Sequence, residues 1–154
     1  MDTGMRCAEL AHLKVGDIDW DLQVVPVLGK GRKNRLCPIG KKTLKALDLY
    51  INWGRNKHRD AARAELWLGH EGPMTVSGIY QVVRDRAAAV GIKGYPHLLR
   101  HLAAHRYLAA GGQESNLMRL MGWSSRSMVG RYGASAAEER ARDEHRRLAL
   151  GDKF

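Results

Sequence analysis

The residues with chemical reach in this chain occur in a set order: Arg6, Lys30, His97, Arg100, Trp123 and Tyr132. His97 and Arg100 are three apart, so on a helix both project to one side. Tyr132 stands nine residues after Trp123, inside "NLMRLMGWSSRSMVGRYGAS", a stretch with three arginines and no acid. Arginine presents a planar fork that matches two phosphate oxygens. Two arginines can neutralise the charge that grows on a phosphoryl group in transfer. A tyrosine hydroxyl can attack phosphorus and keep the bond energy in a phosphotyrosine. Its free pKa is about 10, so it needs cations and a base nearby. The set therefore points to phosphoryl transfer by side chains. Singly, the pieces say little: an isolated H-x-x-R is ordinarily surface charge, and a lone tyrosine is ordinarily core. Order and spacing together carry the signal.

Other familiar chemistries fail on their spacing. "DIDWDLQVVPVL" begins like a calcium loop, but its glycine position holds Leu22 and its closing position Leu28. "GKG" lacks the spacing and the hydroxyl residue of a phosphate-binding loop. Arg126 stands where G-x-S-x-G needs its second glycine. His97, His101 and His105 share a helix face, but H-E-x-x-H is absent and Arg100 is a poor neighbour for a cation, so no metal site is assigned.

Charge points the same way. The 154 residues carry a net charge of +10, which favours an anionic partner. It is concentrated: residues 22–47 hold seven Lys or Arg and no acid, and residues 86–137 hold seven and one acid, Glu114. Localised charge of this kind marks a basic surface. Two cysteines, Cys7 and Cys37, make neither a disulfide framework nor a Cys-x-x-Cys metal motif. A reducing, cytoplasmic setting is the expectation. There is no signal-peptide pattern and no apolar run of membrane-spanning length, so no membrane partner is expected.

The elements that must position these residues are mostly helical. A helix is predicted over "DTGMRCAELAHLKV", with Asp2 or Thr3 as cap. Three short strands, "DIDW", "QVVPVLG" and "NRLCPI", follow, the last two joined by a glycine-containing hairpin loop. Pro26 implies an edge or a bulge. Helices are predicted over 41–53, after Thr75, over "YPHLLRHLAAHRYLAAGG" with its Gly-Gly stop, over 116–121, over 125–132 and over 136–150. The fold class is α+β, mainly α, with one small three-stranded antiparallel sheet near the N-terminus, in a single domain spanning 1–154.

Taken together these motifs resemble the catalytic domain of the tyrosine recombinases, the phage integrase family. "TGMRCAEL" resembles the family's first-arginine box, with Glu9 as its acidic partner. "GKGRKNRLCPI" resembles the hairpin that bears the catalytic lysine, "HLLRH" the H-x-x-R-H box, and "LMGWSSRSMVGRY" the box that ends on the nucleophile. The resemblance implies that Arg6 and Arg100 hold the scissile phosphate and Tyr132 attacks it. Lys30 would protonate the leaving 5′-oxygen, and His97 would assist proton transfer. Trp123 stands where many members have a second histidine; an indole has one N–H donor and no base function. Glu9 would support the site. Arg32, Lys33, Arg35, Arg126 and Arg131 are expected DNA contacts. The resemblance further implies double-stranded DNA as partner, self-association on DNA in a tetrameric synapse, no cofactor, and a bacterial or phage origin. The family's N-terminal DNA-clamping domain has no counterpart here, so the chain is expected to be an N-terminally truncated catalytic domain. The alternative is a DNA-binding remnant without turnover.

Overall fold

The structure, a computed structural model, describes residues 2–29 and 34–153; the side chains of 131–136, 138–140, 150 and 153 fall outside that description. In chain order the elements are helix α1 (Cys7–Ala11), strands β1 (Val24–Leu28) and β2 (Asn34–Pro38), helix α2 (Lys41–Leu49), strands β3 (Leu68–Gly69) and β4 (Gly72–Pro73), and helices α3 (Val76–Ala89), α4 (Pro96–Ala109), α5 (Glu114–Met121) and α6 (Arg126–Leu148). The architecture is mainly helical α+β.

The expected three-stranded sheet is instead two two-stranded antiparallel ones, β1–β2 and β3–β4. "DIDW" does not extend as a strand because the chain reverses at once. The Asp19 and Val24 backbones exchange both hydrogen bonds (3.0 and 3.1 Å), and the Leu22 N–H donates to Asp19 Oδ1 (2.8 Å). Gln23 turns the corner at φ 57°. Helix α1 is shorter than its sequence pattern: Arg6 is extended, and residues 2–6 run as a lead-in. Helix α2 continues through a π turn, Tyr50–Gly54, which covers the predicted 41–53. The Thr75 hydroxyl accepts the Gly78 N–H (3.1 Å) and starts α3 as predicted. Pro96 opens α4, and Gly111, at φ 83°, follows its end. The helices predicted over 125–132 and 136–150 form one unbroken α6, since no proline or αL residue intervenes.

Two apolar clusters hold the chain. The first gathers Met5, Leu13, Ile18, Val25, Val27, Cys37, Ile39, Leu44 and Leu66 from the segments flanking α1, the β1–β2 hairpin, α2 and the segment before β3. The second gathers Ala104, Leu108, Leu117, Met121, Trp123 and Val129 from α4, α5 and α6. Fully buried leucines such as Leu66, Leu108 and Leu117 each contribute about 1.5–3 kcal/mol. The polar segment between α2 and β3, unassigned from its sequence pattern, is organised by the buried Arg55. Its guanidinium donates to the carbonyls of Ala61, Arg63 and Glu65. Among the described residues no helix is long and apolar enough to cross a membrane.

Candidate active site

The seam between the two clusters is where four of the predicted residues meet. A cavity of about 350 Å³ is lined by Met5, Arg6, Cys7, Tyr80, Pro96, His97, Arg100, Trp123 and Met128. It brings together Arg6 from the lead-in to α1, His97 and Arg100 from α4, and Trp123 from the α5–α6 turn. Among the described residues the lining contains no acid. Lys30, Arg32 and Lys33 lie outside the described residues. Tyr132 is placed by its backbone alone, on α6 one turn beyond Met128, and Arg131 precedes it. Arg126 is exposed at the first position of α6.

The two arginines are held differently. Arg100 is only 4% exposed. Its Nη1 donates to the Gly4 carbonyl and its Nη2 to the Met121 carbonyl. These two bonds set the plane of the guanidinium and tie α4 to the lead-in and to α5. Its Cζ stands 5.8 Å from the centre of the Trp123 ring, a cation–π distance. Trp123 is buried, and its backbone N–H donates to the Met118 carbonyl (2.9 Å) after Gly122 turns the chain at φ 62°. Gly122 is left-handed there, the ordinary terminus of a helix such as α5.

Arg6, by contrast, keeps a 40% exposed side chain. Glu9, the third residue of α1, reaches back and accepts from the Arg6 backbone N–H (2.7 Å) and from its Nη1 (2.7 Å). The same carboxylate accepts two more bonds from Arg35, Nη1 to Oε1 (2.9 Å) and Nη2 to Oε2 (2.6 Å). Burial by itself would raise the Glu9 pKa, but the Arg35 fork and the two Arg6 bonds outweigh it and hold the group at about 2. Glu9 is therefore an anion at any working pH.

Arg35 was expected to meet DNA. Its side chain is 9% exposed, and besides Glu9 its Nε donates to the Leu120 carbonyl (2.9 Å). Positions 35 and 37 share one face of β2, and Cys37 is fully buried. That alternation is the signal that would have turned Arg35 inward. Sequence reasoning also missed Tyr80 and Met128 as cavity walls. The His97 and His101 rings meet edge to face, 4.4 Å between centres. Burial lowers the His101 pKa, and His97 and Arg100 lower it further. Among the described residues no group of three or more His, Cys, Asp or Glu is placed to hold a metal.

Gly4 makes the close approach possible. It sits at φ +58°, and a Cβ there would lie 2.5 Å from Met121 Cε and 2.7 Å from Sδ. Gly4→Ala is expected to cost about 1–3 kcal/mol, from αL strain and overpacking. Thermal unfolding checks this, and an unchanged midpoint would mean that the lead-in does not pack on α5 as described.

The profile of the Phage integrase family matches residues 1–139. The tyrosine recombinase XerC of Bacillus licheniformis is 34% identical over 136 residues, 84% of this chain and 45% of that protein. The crystal structure of XerA recombinase superposes with a TM-score of 0.81 at 27% identity, over 96% of this chain and 54% of that one. The Tn1549 transposon integrase, solved in complex with transposon right end DNA, shares the fold at a TM-score of 0.76 and 24% identity, over 96% of this chain and 56% of that one. The chain thus spans about half the length of the relatives it matches. With the family profile covering most of its length, the chain belongs to the phage integrase family, that of the tyrosine recombinase catalytic domain.

Proposed function

We propose that this chain is the catalytic part of a site-specific recombinase, which cleaves and rejoins duplex DNA through a 3′-phosphotyrosine. The supporting observation is the convergence of Arg6, His97, Arg100 and Trp123 on one cavity whose described lining holds no acid. Such a cavity favours a phosphate over a cation or a neutral ligand. Arg100, clamped by two carbonyls, meets the phosphate in a preset orientation, so little reorganisation is needed as charge develops. Arg6, more exposed, offers its fork from the other wall.

In the proposed step the Tyr132 hydroxyl oxygen bonds to phosphorus, and the bond from phosphorus to the 5′-oxygen breaks. The phenol proton passes to His97, and the leaving oxygen takes a proton from Lys30. A 5′-hydroxyl from another strand reverses the step and rejoins DNA. The bond energy stays in the phosphotyrosine, so the reaction needs no nucleotide cofactor. Arg126, Arg131, Arg32 and Lys33 are assigned to flanking phosphates, and several copies act together on the DNA.

The test uses a pool of nicked duplexes of randomised sequence, quenched in denaturant so that only covalent protein–DNA adducts are recovered. Adducts joined through a DNA 3′ end are expected. Binding without any adduct would leave a DNA-binding module and sink the enzymatic reading. Binding itself is expected to be salt-dependent. Four phosphate contacts weaken it about a hundredfold between 50 and 200 mM salt. Affinity that holds across that range, measured by fluorescence anisotropy, would show that the basic segments are not the interface.

A further inference from the structure

Arg35 has no role in the reaction outlined above, yet its whole guanidinium is engaged beside the site. It grips both oxygens of Glu9 and, through Nε, the Leu120 carbonyl. Glu9 in turn holds Arg6 by its backbone N–H and its Nη1. The next carbonyl along α5, that of Met121, receives Arg100. One turn of α5 therefore anchors the Arg35–Glu9–Arg6 chain and Arg100 on adjacent peptide groups. Gly122, left-handed just beyond, leaves room for this: a Cβ there would lie 3.3 Å from Arg35 Nη1.

We propose that Arg35 is a positioning residue that acts through Glu9 to hold the Arg6 guanidinium at the cavity wall, so that the chemical step depends on an arginine which does not touch DNA. The inference rests on the phosphoryl-transfer reading of the cavity. The physical reason is rotamer freedom. Arg6 is a long side chain on a non-helical residue, 40% exposed. Left to itself it samples many rotamers, and ordering it costs entropy at every encounter with DNA. A carboxylate locked by a two-pronged partner removes that cost in advance. The link also runs from β2 to α1 and α5, so it joins the hairpin that bears Lys30 to the wall that bears Arg6.

The experiment compares the parent chain with R35Q, R35K, E9Q and the R35Q/E9Q double variant on one nicked duplex. Two quantities are read: the rate of adduct formation at saturating DNA, and the affinity with its salt slope. For a positioning residue, R35Q slows adduct formation about tenfold or more, with affinity within about threefold and the slope unchanged. E9Q does the same, and the double variant is no slower than the slower single, because both changes break one chain of contacts. R35K keeps the charge without the planar fork and falls between. A parental rate in R35Q overturns the proposal. So does a salt slope lower by about one unit with the saturated rate unchanged, which marks a phosphate contact. If R35Q unfolds at the assay temperature, E9Q and R35K carry the same comparison. A second readout is independent of chemistry: the Arg6 Nε–H resonance of the chain without DNA. It is expected to shift and lose its heteronuclear NOE in R35Q and E9Q, and an unaltered, ordered signal overturns the proposal. A parent chain that binds DNA but forms no adduct counts against the phosphoryl-transfer reading alone, and the Arg6 resonance still decides the role of Arg35.

Discussion

Tyr132→Phe removes the covalent protein–DNA adduct altogether and leaves DNA binding within about twofold. The substitution deletes one oxygen and keeps the ring, so whatever packing position 132 contributes is retained. On the proposed reading the attacking atom is gone, so no adduct forms through position 132. The chain's other tyrosines are Tyr50, Tyr80, Tyr95 and Tyr107. Of these, Tyr80 lines the cavity, from α3. The check is a denaturing gel after incubation with a nicked duplex. An adduct that survives in Tyr132→Phe would assign the attack elsewhere, and Tyr80→Phe would be the next variant to make.

Arg100→Ala slows cleavage by about 10²–10³ or more, the range for removing a preset donor from developing charge. The structure adds a second consequence. Arg100 satisfies the Gly4 and Met121 carbonyls from a buried position. Losing it strands two acceptors, at roughly 1–3 kcal/mol each where water does not replace the donor. The variant should therefore unfold at lower temperature as well as cleave slowly. Single-turnover rates corrected for the folded fraction separate the two effects. Arg100→Lys keeps a charge but cannot span both carbonyls, so it should recover part of the rate and little of the stability. A corrected Arg100→Ala rate equal to the parent would remove Arg100 from the chemistry and leave it a structural clamp.

The sequence was most legible where chemistry and helical spacing coincide. His97 and Arg100 could be placed on one side of α4 from their spacing alone, and both line the cavity. Thr75 and Pro96 announced their helices because capping is local. Legibility failed where a partner is distant in the chain. Arg35 sits in a run of basic residues and reads as surface charge until Glu9, 26 residues away, is seen beneath it. Arg55 is a similar case, a charged residue buried because the chain returns three carbonyls to it. "DIDW" has strand composition, but a turn at Asp19–Gln23 leaves it a single bridge. The β3–β4 pair is two residues per strand, too short to leave a pattern.

The unbroken course of α6 has a mechanical consequence. Val129 is 2% exposed and anchored among Leu108, Leu117 and Trp123, so it is the natural fulcrum of the helix. At the helical rise, Tyr132 lies about 4.5 Å beyond that point and Leu148 about 28 Å beyond it. The arms differ about sixfold. A rigid tilt that carries the far end through about 6 Å moves the backbone at Tyr132 by about 1 Å, and a pull at the far end arrives at the tyrosine about six times stronger. An ångström is the scale on which in-line attack is gained or lost. The distal half of α6 is thus a long handle on a short jaw, and small loads placed there translate into fine adjustment of Tyr132, the proposed nucleophile.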